Sequence, residues 1–347
     1  MPGSHRIRVV RWLAAILLGA WVVVAAQPAS FDDELRRGLV ALENNKLTEA
    51  KLSLEQASRL QPANPRVWMA LAQTYLRSKQ TGPANAAAKR AEALAADSPV
   101  IQHALAIYYS ETGDFTKATE MARHDEGFTF HLGQGLLGRG DFSGALGFFE
   151  AARGRFPKSA QIELAYGVAA YGQRRFTDSI DAFLRVIRID PSVEQPYVFL
   201  ARLLDQAGDR LGQITAAYGA WEKAAPGNCL PVCLHAKALS AAGGDPAEIE
   251  AELRRSIQLN GAYWESHFEL GVLLAKNRRW EDAAAELARG IELNPKHAAA
   301  HFQLARVYEK LGKPELAQAE RAEHQRLTAA ETNVERALPG AGNEPVR

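Results

Sequence analysis

Four groups of residues have types and spacings that could do chemistry. Gly133, Gly135 and Gly138 in G-Q-G-L-L-G fit the G-x-G-x-x-G fingerprint that lets backbone approach a dinucleotide pyrophosphate, and the preceding F-T-F-H-L could pass for a strand. That chemistry needs a parallel βαβ unit and an acidic residue about twenty positions further on. Cys229 and Cys233, the only cysteines, stand four apart, which excludes a C-x-x-C-H haem attachment and a four-cysteine zinc site. Their Cα atoms would lie roughly 6 Å apart on a helix, within disulfide range. A bridge in an oxidising compartment and two free thiols packed in a helix both fit. His297 and His301 have the i, i+4 spacing that puts two metal ligands on one helical face. Arg139-Gly140-Asp141 forms an integrin-type tripeptide. There is no H-E-x-x-H, G-x-S-x-G or Walker sequence, so no catalytic residue is assigned.

The elements that must position these residues come from a repeat. A small residue recurs at Gly38, Ala72, Ala106, Gly133, Gly167, Ala201, Ala236, Gly271 and Ala305, at spacings of 34, 34, 27, 34, 34, 35, 35 and 34. Around it the apolar residues have helical period: Trp68, Leu71, Ala72 and Tyr75 fall at i, i+3, i+4 and i+7. Twelve residues on comes a second small residue, at Ala50, Ala84, Ala118, Ala145, Ser179, Ala283 and Ala317, inside a second amphipathic run. Small side chains at both places let two helix backbones approach. Pro62, Pro157, Pro191 and Pro295 each stop the second helix. Thr112-Gly113-Asp114, Arg139-Gly140-Asp141 and Leu311-Gly312-Lys313 turn the chain between helices. In this register Gly133 is a packing position, Arg139-Gly140-Asp141 is a turn, and His297 lies in a loop while His301 lies on a helix. The nucleotide, integrin and metal readings therefore give way to structural ones.

A unit of 34 residues with W-x2-L-G-x2-Y, then A-x3-F, then P resembles the tetratricopeptide repeat. Trp68, Leu71, Ala72, Tyr75 and Ala84 carry the likeness in the second unit, and Leu132, Gly133, Ala145, Phe149, Ala152 and Pro157 in the fourth. The resemblance implies an all-α fold, a right-handed superhelical solenoid of helix-turn-helix repeats whose first helices line a concave groove for peptides or proteins. Nine units are expected, at 31–64, 65–98, 99–125, 126–159, 160–193, 194–228, 229–263, 264–297 and 298–332, the last with a C-terminal cap. The third is seven residues short, about two helical turns, so its second helix can shrink and keep phase, with a ledge near His124 to Gly127. The sixth and seventh are one residue long, lack a clean second small residue, and should pack less regularly. Ser30 and Asp33 read as a capping box at the start, and Pro314 opens a largely polar terminal helix. Residues 338–347 lack periodicity and are expected to be disordered.

In proteins this one resembles, three first-helix positions face the groove: three before, one after and four after the small residue. The fourth and fifth units place Phe130, Gln134 and Leu137, then Leu164, Val168 and Tyr171 there, mostly apolar. Met69, Gln73 and His103 take such positions in the second and third units, and Val198, Arg202 and Asp205 in the sixth. An apolar central stripe suits a partner-binding surface, although Phe130 and Leu164 could equally be buried between neighbouring helices.

Of 347 residues 47% are hydrophobic and 23% charged, ordinary for a soluble protein, and 41 basic residues against 40 acidic give no reason to expect nucleic acid. Arg6, Arg8 and Arg11 precede an uncharged run from Trp12 to Ala26, the layout of a signal peptide over residues 1–26, with Val24 and Ala26 small enough for a cleavage site before Gln27. An uncleaved N-terminal anchor is the alternative. Either puts the body outside the cytosol, periplasmic or secreted. The expected function is a non-enzymatic scaffold or adaptor for protein or peptide partners, with no metal or cofactor; a small-molecule or glycan binder is the alternative.

Overall fold

The structure is a computed structural model that describes residues 30–95, 98–122 and 125–337, with side chains to residue 330. The N-terminal charged and apolar run, His124 and the polar tail lie outside the described residues. Eighteen α-helices follow one another, and there is no strand among the described residues. No helix among them is long and apolar enough to cross a membrane.

The helices come in pairs: α1 Phe31–Glu43 and α2 Leu47–Leu60; α3 Pro65–Arg77 and α4 Thr81–Leu94; α5 Pro99–Glu111 and α6 Phe115–Ala122; α7 Glu126–Gly138 and α8 Phe142–Arg155; α9 Ala160–Gly172 and α10 Phe176–Ile189. They continue with α11 Gln195–Ala201 and α12 Leu211–Ala224; α13 Cys229–Ala241 and α14 Pro246–Leu259; α15 Trp264–Lys276 and α16 Trp280–Leu293; α17 Ala298–Lys310 and α18 Pro314–Ala337. The chain divides into two compact units, Met1–Thr112 and Gly113–Arg347, each described by itself.

Local signals start and stop the helices. Asn64, Asp125, Asp141, Ser159, Asn228 and Asp245 each accept a hydrogen bond from a first-turn amide, satisfying one of the donors a helix start leaves open. Ser30 Oγ accepts from the Asp33 amide at 3.1 Å and donates to its carboxylate at 2.7 Å, so the expected cap forms with the acid on the hydroxyl. Seven residues after each small residue the backbone turns left-handed: Asn45, Lys79, Gly113, Gly140, Arg174, Gly208, Gly243, Arg278 and Gly312 all have φ between +52° and +81°. Glycine adopts this freely, whereas a side chain with a Cβ is strained there.

The small-residue column is a contact between paired helices. A Cβ built on Gly38, Gly133, Gly167 or Gly271 would lie 2.3–2.7 Å from Leu54, Phe149, Phe183 or Leu287. Each of those is the eighth residue of the second helix and fully buried. In the second repeat the same two places hold Ala72 and Ala88, both fully buried.

In four repeats the residue four before the small one ties its repeat to the previous one. Trp68 Nε1 donates to the Pro62 carbonyl at 2.8 Å and Tyr197 Oη to the Pro191 carbonyl at 3.2 Å. His267 Nε2 lies 3.2 Å from the Gly261 carbonyl and His301 Nε2 3.0 Å from that of Pro295. Every acceptor stands six residues upstream, in the turn that ends the previous repeat. His301 Nδ1 also meets Glu320 at 2.6 Å, and the His297 ring lies among those of Trp264 and Phe268. The i, i+4 histidines are thus structural.

In the third repeat the second helix has eight residues instead of fourteen. In the sixth repeat, expected to pack less regularly, α11 stops after seven residues and the chain continues as two 3₁₀ turns, Leu204–Gln206 and Gly208–Arg210. The extra residue is taken up before α12, which starts ten positions after Ala201 instead of the usual nine. The 3₁₀ stretch carries Leu203, Leu204 and Ala207 into the core, where Tyr218 Oη donates to the Tyr197 carbonyl at 2.7 Å. The seventh repeat takes up its extra residue in the same way, before α14. At the fourth place of α12 and α14, where other second helices have Ala or Ser, stand Ile214 and Ile249, both buried.

Candidate functional site

Within the second compact unit, α7 and α9 run side by side and leave a concavity of about 440 Å³. Phe130, Gln134 and Leu137 line it from α7, one face at i, i+4 and i+7. Ala160, Gln161, Leu164, Ala165 and Val168 line it from α9, and Val193 and Gln195 close it from the start of the next repeat. Five of the six central groove positions expected from the sequence therefore meet in one hollow. All lining residues are uncharged, and the polar ones are three glutamines. Phe130, Leu137, Leu164 and Val168 are half-buried and Gln134 is exposed. Leu164 and Val168 also pack on the core that contains Phe183 and Leu200, so they serve packing and surface together.

The remaining expected positions fall elsewhere. Tyr171 turns away from the hollow: its ring packs edge-on against Phe199 at 5.7 Å and lies 6.0 Å from Phe176, because an aromatic of that reach finds the core of the next repeat. Arg202 is exposed just past the last residue of α11, and Asp205 lies in a 3₁₀ turn, so the sixth repeat presents no helical stripe. In the first compact unit Met69 is 4% exposed and offers almost no surface, while Gln73 and His103 are half-buried. Cys229 and Cys233 are free thiols on α13. Pro231 sits in the first turn of that helix and does not break it, so the two Cβ atoms keep helical directions. Burial pushes the Cys233 thiol well above the usual range.

Two polar clusters in the second unit carry no signal of local spacing. Lys237 Nζ lies 3.0 Å from Glu265 and 3.1 Å from Glu269, and Tyr263 Oη donates to Glu265 at 2.8 Å. Burial disfavours the Lys237 ammonium, but Glu269 and Glu265 more than reverse this and hold it above the lysine range; burial pushes Glu269 upward. In the other cluster Glu222 of α12, His235 of α13 and Glu252 of α14 converge beside Arg255. Burial, then the neighbouring Glu222, raise the Glu252 carboxyl.

Models of the tetratricopeptide repeat match residues 41–108, 130–194 and 287–319. Over those three stretches the chain carries tetratricopeptide repeats. The match over 130–194 takes in the concavity apart from Gln195, so its walls are the first helices of two such repeats. Among solved structures the chain is similar to TTC0263, a thermophilic tetratricopeptide repeat protein of Thermus thermophilus, with 18% identity over 51% of this chain and 96% of that one (TM-score 0.44). It is similar to yeast Tom70, with 13% identity over 96% and 94% (TM-score 0.44). It is also similar to YrrB, a tetratricopeptide repeat protein with an unusual peptide-binding site, with 18% identity over 64% and 96% (TM-score 0.35). No curated protein sequence matches the chain.

Proposed function

We propose that this protein is a non-enzymatic scaffold that holds a partner by seating an uncharged, apolar segment in the concavity between α7 and α9. The lining of that hollow carries the reading: Phe130, Leu137, Leu164, Val168 and Val193 supply apolar surface, and Gln134, Gln161 and Gln195 supply the polar contacts. A primary amide both donates and accepts, so it can pair with the backbone of an extended segment, and the absence of charge disfavours ionic side chains. The volume is also within the range of small-molecule pockets, which sustains a second reading of a small neutral ligand or glycan.

Selection from a random decapeptide display library tests this. The expected winners are neutral and carry Leu, Phe or Met, and Phe130→Asp with Gln161→Glu abolishes their binding while helical circular dichroism is kept. Enrichment of charged peptides, or binding unmoved by the double substitution, overturns the reading; a neutral small molecule that raises the melting temperature where no peptide is selected supports the second one.

The repeats act outside the cytosol in this proposal, delivered by residues 1–26 as a signal peptide or retained by them as an anchor. The three arginines before an uncharged run support it. N-terminal sequencing of protein from the natural host tests it: a start at Gln27 shows cleavage, Met1 in the membrane pellet shows an anchor, and uncut chain in the cytosol refutes both.

A further inference from the structure

In the eighth and ninth repeats the seventh residue of the second helix is a glutamate, Glu286 or Glu320, whose carboxylate meets a histidine of its own repeat at 2.7 or 2.6 Å. Those histidines, His267 and His301, set their other nitrogen on a turn carbonyl, so both ring nitrogens are engaged. The seventh repeat has the equivalent glutamate, Glu252, but Val232 stands where the histidine would be. Glu252 Oε2 is consequently buried and accepts no hydrogen bond. The nearest cation, Arg255 Nη1, is 3.6 Å away, too far for one.

Two other groups come within 4.8 Å of this carboxylate from different helices. Glu222 of α12 comes from the preceding repeat, with Oε2 2.8 Å from His235 Nδ1 of α13. His235 belongs to neither repeated column. Its Nε2 edge rests against Gly219, where a Cβ would lie 3.3 Å away, so the missing side chain makes room for the ring. The three potential ligand atoms lie within 4.8 Å of one another, and the side chains of Glu222, His235 and Glu252 are 11%, 20% and 23% exposed.

We propose that Glu222, His235 and Glu252 form a zinc site that staples α12, α13 and α14 together. One imidazole and two carboxylates are a donor set zinc accepts, at bonds of about 2.0–2.2 Å. Tetrahedral bonds of that length place ligand atoms about 3.3 Å apart. One pair at 2.8 Å and the rest within 4.8 Å reach this by small side-chain rotations. The partial exposure leaves a fourth position open to water. Arg255, half-exposed and paired with Glu222, holds the place of the cation and must swing outward when zinc enters. The sixth and seventh repeats carry the inserted residues and bulky Ile214 and Ile249, so this is the part of the stack where a cross-link between helices adds most. The site is separate from the α7–α9 concavity, and neither proposal depends on the other.

Calorimetric titration of zinc into chelator-stripped full-length protein, with cobalt absorption as the check on coordination, tests the site. One equivalent should bind with tetrahedral cobalt bands. Glu252→Gln and His235→Gln should each weaken binding at least tenfold with circular dichroism unchanged. Arg255→Gln should tighten it several-fold, an arm that removes no ligand. No zinc binding below 100 µM, as an order-of-magnitude threshold for a built site, or binding that none of the three substitutions moves, overturns the proposal.

Discussion

Replacing the glycines of G-Q-G-L-L-G by alanine one at a time separates a packing role from a phosphate-cradling one. A Cβ on Gly133 would lie 2.3 Å from Phe149 Cζ and 2.9 Å from Phe148 Cδ1, against about 3.5–4.0 Å for ordinary carbon contacts. Neither ring can yield: both are fully buried and packed edge-on at 5.6 Å. Overpacking of this kind costs about 1–3 kcal/mol. Alanine recovers about 1 kcal/mol over glycine inside a helix, so Gly133→Ala should be neutral to destabilising by about 2 kcal/mol. Gly135 meets only Arg139 Nη1 at 3.7 Å and Gly138 meets nothing, so alanine at either should stabilise by up to about 1 kcal/mol. Phe149→Ala costs about 3–5 kcal/mol on its own, and in that background Gly133→Ala loses its two closest clashes, keeps only the 2.9 Å approach to Phe148, and should become less unfavourable. The pair then reproduces Ala72 and Ala88 of the second repeat. Urea denaturation, with hydrogen exchange of α7 and α8 amides, should show a coupling of about 1–3 kcal/mol. If Gly133→Ala stabilises as much as Gly135→Ala, or has the same effect with and without Phe149, the column is not a packing contact.

Lys237→Met should destabilise by about 3 kcal/mol because it leaves Glu265 and Glu269 uncompensated, whereas Glu269→Gln keeps the Lys237–Glu265 pair and should cost much less in the same denaturation assay. Arg174→Gly should stabilise by up to about 1 kcal/mol, since Arg174 has φ +58° where other repeats have glycine; a lower melting temperature would contradict the turn geometry. Burial and the bond to Glu55 push the Tyr75 phenol up to about 12. An unfolded tyrosine ionises near 10, so this stability is complete below pH 10 and is lost as pH rises from there toward 12. Melting at pH 9 and pH 11 should show the decline, and Tyr75→Phe should lessen it, the other buried tyrosines contributing the rest. Iodoacetamide should label Cys229 alone in the folded chain and both cysteines in urea; intact mass two hydrogens low would show a bridge instead.

The helix pairs were legible because their signals are local. The small residues, the prolines and the apolar period all act within one repeat. Five of the nine left-handed turn residues are glycine, three of them in the turns picked out by composition. Asn45, Lys79, Arg174 and Arg278 do the same work with side chains that do not announce it. The end of α11 was illegible since it depends on Leu203, Leu204 and Ala207 finding the core beyond Ala201. At the concavity Phe130, Gln134 and Leu137 followed from the groove-facing positions that the resemblance implies, which helical period places on one face. Val193 and Gln195 did not, because they enter from a turn after Pro191 whose path is set by the next repeat.

One position in the repeat can serve one geometric task with several side-chain types, and this explains which chemistry escaped notice. Trp68, Tyr197, His267 and His301 share no single chemical class, yet each reaches the carbonyl six residues upstream. A histidine in that column is therefore committed to the turn and to its glutamate. Where Val232 breaks the column, the glutamate one helix later loses its partner and its oxygen is left without a donor. Glu222, His235 and Glu252 come from three helices and are thirteen and seventeen positions apart in turn, so no spacing motif joins them. They become visible only when Glu252 is set beside Glu286 and Glu320, where the same carboxylate has its histidine.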